Sequence, residues 1–309
     1  MRQLWRDLSS WFFSPADCRT AAVLRIGFCF TSLLIWWDFY PVMSLLFGHA
    51  GLFGTLEPFP FAFHVPQHLL FKYDAPWQLQ TWFWVSVGCG ILGTIGCWSR
   101  TMVGACFCSM VLFNERGPFI TFGADLVLHC IGFWLLFLRS GQCWSIDSYL
   151  RKRSEKAPRR ELEGWPIKAI QLQMGLIYLT TGMLKIGKIP WEDGSAVYYS
   201  IMVGNVIKSA PPSWLIYDRP LLGTLNYLTI ATEITAPLLL FYRPTRVWGV
   251  TGLVLFHTGI DLLMSIRFFS LVMYVGLLSF ADRQDWGNWS RAFQEILNRC
   301  RRRIRRRVT

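Results

Sequence analysis

Lys185 sits near the end of a long apolar stretch, and Gln171, Tyr178, Thr181 and Lys188 share its helical face at three-, four- and seven-residue steps. A lysine at lipid depth costs at least ~2.5 kcal/mol unless it is paired, hydrated or neutral. A neutral amine can take a proton, so general-base chemistry is one use for Lys185. Snorkelling to the interface, about one turn from the helix end, is the structural alternative. Other polar residues recur at comparable depth. Asn114 and Arg116 close one apolar stretch, Asp125 opens the next with His129 four residues on, and His257 precedes Asp261 by the same step, with Thr258 beside them. An aspartate one turn from a histidine can orient the imidazole and fix its tautomer, as general bases and metal ligands require. Neither pair shows the third convergent ligand that a metal site needs, so no metal is expected. Interhelical hydrogen bonding, at roughly 0.6 kcal/mol per contact, is the structural alternative for each residue alone. Arg25 and Glu233 lie deeper from the basic ends of their stretches. An ion pair locking two helices is expected between them, ahead of a proton path.

The elements that must position these residues follow from composition. The chain has 309 residues, 53% of them apolar, and sixteen tryptophans, with a positive mean hydropathy. That excludes an ordinary soluble domain and a disordered chain and points to a polytopic membrane protein of all-α class. The net charge of +12 would suggest nucleic acid in a soluble protein. Here the basic residues fall in particular loops and a tail, so anionic headgroups are the expected partner and nucleic acid is not.

About eight transmembrane helices are expected, near residues 20–40, 78–98, 100–116, 119–138, 166–188, 221–242, 245–264 and 266–281. Arg2, Arg6, Arg19, Arg100, Arg139, the basic run from Arg151 to Lys168, Arg243, Arg246 and the Arg-rich tail then lie on one side. The positive-inside rule makes that side, and both termini, cytoplasmic. The loops near 41–77, 114–119, 189–220 and 264–267 face outward, the membrane being a plasma or inner membrane. Residues 1–19 lack the features of a signal peptide. Leu4, Trp5, Leu8, Trp11 and Phe12 line one side of a helix expected to lie in the interface. Residues 20–281 form the membrane domain and 282–309 a basic cytoplasmic tail.

The nine cysteines all fall in expected spans or on the cytoplasmic side. Most are expected to serve as small buried hydrophobes, with no exterior disulfide framework and no CxxC pair. Phosphate loops, HExxH and the GxSxG elbow are absent, which removes the commoner nucleotide and hydrolase readings. No internal repeat is evident, which places a small-molecule transporter last among the functional classes.

Several pieces carry a resemblance: LRIGF around Arg25, the Asn114 region followed by FGADLVLH, WSIDSYLRK, YLTTGMLKIGKIPWEDG, and LFHTGIDLLMSIRFFSLVMYVGLLSF. In that order they resemble the membrane domain shared by vitamin K-dependent gamma-carboxylase and the bacterial horizontally transferred transmembrane (HTTM) family. In the carboxylase a lysine shortly before a tryptophan deprotonates reduced vitamin K. The oxygenated quinol then removes a proton from a glutamate side chain, and the carbanion adds carbon dioxide. The resemblance implies that role for Lys185 ahead of Trp191. The spacing to Trp191 is one residue longer than in the carboxylase, which leaves Lys188 as a competitor. Asn114 is followed by Glu115 and Arg116 where the carboxylase has a histidine after paired asparagines, and the chain stops at a basic tail where the carboxylase continues into a lumenal region.

The expected function is that of a carboxylase-like or oxidative membrane enzyme using a reduced quinone, vitamin K or menaquinol, on a secreted peptide at the outer face. Lys185 is the expected base, with His257 and Asp261 as an orienting or proton-relay pair. Asn114 and Arg116 are expected to contact an oxyanion or carboxylate, and Asp125, Tyr178 and Trp191 complete the substrate-binding set. A non-catalytic maturation or export factor for a secreted peptide is the competing class.

Overall fold

The chain begins with α1 (Arg2–Phe12), amphipathic as expected: Leu4, Trp5 and Leu8 are exposed. Trp11 turns inward, 5.9 Å from the Phe241 ring and 5.0 Å from the Lys168 ammonium. The structure, a computed structural model, describes residues 1–48, 51–52, 75–117, 120–153, 161–203, 208 and 210–308, and for residues 300–308 the backbone alone. Much of the expected outer loop at 41–77, with Lys156, Arg159, Arg160 and the side chains of the Arg-rich tail, lies outside the described residues.

A two-residue strand, β1 (Ala16–Asp17), pairs antiparallel with β2 (Glu161–Leu162) and clips the N-terminal segment to the middle of the chain. So short a bridge has no hydrophobic period to reveal it. Asp17 then caps α2 (Cys18–Phe39), its carboxylate accepting the Arg19 N–H at 2.8 Å. Pro41 sits in the 3-10 turn Tyr40–Val42, which leads into α3 (Met43–Phe47). The further helices are α4 (Pro76–Ile95), α5 (Ser99–Arg116), α6 (Gly123–Leu135), the short α7 (Ile146–Arg153) and α8 (Trp165–Lys185). Three short helices, α9 (Ile189–Glu192), α10 (Ala196–Met202) and α11 (Ser213–Tyr217), precede α12 (Arg219–Phe241), α13 (Arg246–Leu263), α14 (Phe269–Leu277) and the tail helix α15 (Arg283–Val308).

The described residues are thus overwhelmingly helical, and each of the eight apolar segments folds around a helix. Among the described residues, two helices are long and apolar enough by themselves to cross a bilayer, Cys18–Phe47 taken through its 3-10 turn, and Arg219–Phe241. Gly123–Leu135 and Phe269–Phe280 are shorter apolar helices. The core lies where α2 packs against α4, α6 and α14, filled by Phe28, Trp36, Met110, Leu128 and Met273.

At the end carrying the basic loops, Arg25 is fully buried. It donates to the Ser140 carbonyl at 2.7 Å and the Trp144 carbonyl at 2.6 Å, fastening the turn after α6 to α2. The carboxylate of Asp147 accepts the backbone N–H groups of Trp98 and Ser99 at 2.9 and 2.8 Å, and so caps α5. The ion pair expected between Arg25 and Glu233 does not form. Two backbone carbonyls hold the guanidinium at the turn after α6, and Glu233 lies against a different helix. Cys18 is bridged to Cys143, with Cα atoms 5.6 Å apart, a pairing at the basic end not named from the sequence, while Cys29, Cys89, Cys97, Cys106, Cys108 and Cys130 are free.

Candidate functional site

Two glycines on α8, Gly175 and Gly182, let α12 approach closely. A Cβ on Gly182 would stand 2.9 Å from Ile234 and 3.1 Å from the Glu233 Cβ, and one on Gly175 would stand 2.8 Å from the Phe241 ring. The antiparallel contact sets Lys185, in the last turn of α8, opposite Glu233 in the middle of α12. The Lys185 ammonium donates to the Glu233 carboxylate and, at 3.3 Å, to the Thr181 carbonyl. Its Nζ lies 5.1 Å from the Trp191 ring, and Thr181 flanks the carboxylate. Lys185 and Glu233 are 18% and 10% exposed at their side chains, so this pair is largely desolvated. Lys188 is exposed and turns away, its carbonyl accepting the N–H groups of Trp191 and Glu192.

The turn that carries Trp191 is fixed from α12. Asn226, fully buried, donates to the Trp191 carbonyl at 2.8 Å, and the Tyr227 hydroxyl donates to the Glu192 carbonyl at 2.7 Å. Asn226 and Glu233 are seven residues apart on α12, as Tyr178 and Lys185 are on α8, so each helix turns one polar stripe to the other. Glu233 as the partner of Lys185, and Asn226 as the anchor of Trp191, were missed from the sequence. The matching seven-residue steps were the signal that could have found them.

One heptad below Lys185, the Tyr178 hydroxyl meets His257 Nε2 at 2.9 Å, both residues buried. The Ser270 hydroxyl donates to the His257 carbonyl at 2.9 Å, while His257 Nδ1 has no partner among the described residues. Tyr178, rather than the expected Asp261, is therefore the hydrogen-bond partner of the imidazole. Asp261 is half exposed and pairs with Lys208 at 3.3 Å, because its side chain leaves α13 toward the loop after α10.

Asn114, Arg116 and Asp125 form a second group. Asn114 Nδ2 meets His129 Nε2 at 3.1 Å, Arg116 donates to the Phe47 carbonyl at 2.5 Å, and Asp125 accepts the Phe122 N–H at 2.8 Å to cap α6. His129 thus has Asn114 as its side-chain partner, across the α5 to α6 contact. Lys185, Thr181, Trp191, Tyr178 and His257 gather along α8; no bond recorded between side chains joins them to the second group among the described residues.

A helical bundle with a desolvated lysine held between a carboxylate and an indole defines a membrane protein with a polar site inside its helices. The model of the HTTM domain matches residues 13–286, nearly the whole chain, and the chain belongs to the HTTM family. It is accordingly a membrane protein related to the membrane domain of gamma-carboxylase. No solved structure matches the chain.

Proposed function

We propose that the protein is a quinol-dependent, carboxylase-like membrane enzyme that acts on a peptide at the face opposite the basic loops. The reading takes all eight apolar helices as spans, with both termini cytoplasmic. The observation that carries it is the Lys185 and Glu233 pair. An ammonium and a carboxylate in contact hold one proton fewer than the pair can bind, so as the lysine passes its proton to the carboxylate its neutral amine can take one from the substrate. The Trp191 face favours the cation that remains.

Two features of the residues present support a reduced quinone as the cofactor. His257 Nδ1 is a buried polar atom without a partner among the described residues, and the surrounding Phe269 and Tyr274 rings, 5.4 and 6.4 Å from the imidazole, offer apolar contact. A bound reduced quinone, oxidised by dioxygen, would supply the strong base that takes a proton from the substrate. Tyr178 would orient the imidazole and Lys185 with Glu233 would accept the hydroxyl proton. Asn114 and Arg116 remain candidates for an acidic group of the substrate, and Asp125 for its backbone.

The test is native mass spectrometry of the protein in mild detergent, wild type beside the double variant Lys185→Met with Glu233→Leu, which removes both charges together, followed by incubation with a reduced quinone, labelled bicarbonate and peptides secreted by the host. A quinone retained by wild type and lost in the variant, with label entering a peptide, supports the reading. No ligand in either, with a peptide copurifying unmodified, would replace it with the maturation-factor reading. That second reading is favoured by one observation: Lys185 is already satisfied by Glu233, as a helix-locking pair would be.

A further inference from the structure

Two clefts adjoin at the basic face and share the wall made by Arg243, Arg246, Phe280 and Asp282. The first, about 480 Å³, is polar and is bordered by Lys168 and Gln171 of α8 and by β1. The second, about 530 Å³, runs between α13 and α14 over Val247, Val250, Val254 and Leu277 as far as Tyr274. We propose that the pair is one binding site for an anionic glycerophospholipid of the surrounding membrane, its phosphate in the polar cleft and an acyl chain in the apolar one.

The charges make the polar cleft an anion site. Asp17 pairs with Arg19 at 2.8 Å and Glu161 with Arg283 at 2.5 Å, so these carboxylates are already matched. Asp282 alone faces two guanidiniums, Arg243 at 3.2 Å and Arg246 at 3.6 Å. Lys168, close to both Arg246 and Asp282, has no carboxylate of its own, its ammonium meeting the Gln171 carbonyl oxygen at 3.4 Å and the Trp11 ring. With Asp285 of the adjoining cleft counted beside Asp282, two carboxylates against three cations leave one positive charge across the joined clefts, which a phosphodiester would complement. The neighbouring cleft fixes what the anion is attached to. A soluble anion gains nothing from a wall of valines and leucines, whereas an acyl chain does. Trp289 and Asn288 of α15 border that cleft, and α1 and α15 present exposed Trp5, Leu8, Trp289 and Phe293 at the same end, a disposition suited to an interface. This site is separate from the Lys185 group and does not rest on the carboxylase-like reading.

The experiment is native mass spectrometry of the full chain titrated with phosphatidylglycerol or phosphatidylcholine of identical acyl chains. Wild type should retain phosphatidylglycerol about fivefold better, the ratio expected of one net cation at a membrane surface. The double substitution Lys168→Gln with Arg243→Gln should remove that preference. Val250→Trp, which fills the apolar cleft and leaves the charges, should weaken both lipids. Melting temperature in lipid-free detergent checks that each variant folds, and any that does not is replaced by Arg243→Gln alone, for which a fivefold loss is expected. Equal retention of the two lipids by wild type overturns the proposal. Displacement of the lipid by glycerophosphate at equal concentration overturns it too, since a free phosphate would then be the ligand.

Discussion

The Lys185 ammonium donates to the Glu233 carboxylate across the contact between α8 and α12, in a place where neither side chain is more than a fifth exposed. Removing one partner leaves the other charge buried. Lys185→Ala or Glu233→Ala should therefore destabilise the protein by about 3–5 kcal/mol, while Lys185→Met with Glu233→Leu should recover most of that. Thermal unfolding in detergent checks this. Additive single effects in the double variant would mean that the pair is not formed. If the pair is also the base, the recovered double variant should stay inactive, which separates stability from chemistry.

The second expectation concerns the imidazole. Tyr178→Phe removes the hydroxyl that meets His257 Nε2 and leaves that nitrogen buried without its partner. A loss of about 1–3 kcal/mol is expected, and His257→Leu with Tyr178→Phe should be milder than either single change predicts. Asp261→Asn should change stability by less than half a kilocalorie per mole, because the carboxylate is half exposed on Lys208. A large effect from Asp261→Asn with none from Tyr178→Phe would restore the aspartate as the orienting partner.

These pairings also mark what the sequence could and could not yield. Long apolar runs locate the eight main helices because burial imposes composition and period along each segment separately. Which helix meets which depends on contacts between segments, and periodicity carries no record of that. Arg25 and Glu233 were matched by depth alone, yet Arg25 ends on carbonyls at the turn after α6 and Glu233 on Lys185. His257 and Asp261 share a face by spacing, but a helical face is broad enough for one to point into the bundle and the other toward Lys208. The polar stripe of α8 was readable, and two of its members, Tyr178 and Lys185, hold the bonds that define the site.

Arg25 gives a third prediction. Its guanidinium spans two carbonyls, Ser140 and Trp144, which the point charge of lysine cannot reach in the same geometry. Arg25→Lys should loosen the turn at residues 139–145 and make it susceptible to limited proteolysis, with wild-type protein resistant under the same conditions. Equal cleavage of the two would show that the Cys18 to Cys143 link and the Asp147 cap hold the turn without it.

Asp17 sets an acid limit. Burial pushes its carboxyl up, but the Arg19 guanidinium and backbone N–H outweigh that and hold it below the usual carboxylate range. A carboxyl lowered on folding contributes stability that is present above its unfolded value, about 3.9, and is lost as pH falls through the lower folded value. Stability should therefore decline below about pH 4, and Asp17→Asn should flatten that limb, since the amide oxygen can still cap α2 while the charge paired with Arg19 is gone. An unchanged acid limb in Asp17→Asn would assign it to other carboxylates.

Cys18 and Cys143 provide the last prediction, which bears on orientation. They are 125 residues apart, and their Cα separation of 5.6 Å lies within the range that a bridge requires. Both stand at the basic face, beside the Asp17 cap and the turn held by Arg25. If that face is cytoplasmic, as the positive-inside rule requires, the thiols should be reduced in growing cells, since cytosolic disulfides are rare. Acid trapping and alkylation before lysis should then label both cysteines. After purification in air the bridge should close, and its closure should raise the melting temperature, because a loop of this length loses about 4–5 kcal/mol of unfolded-state entropy in the chain model. Cys18→Ser should abolish that rise without altering the reduced protein. A bridge already closed in trapped cells would place the basic face in an oxidising compartment and invert the topology, putting the Lys185 group on the cytoplasmic side. The peptide reading would then need a cytoplasmic substrate, so this single mass measurement should precede any search among secreted peptides.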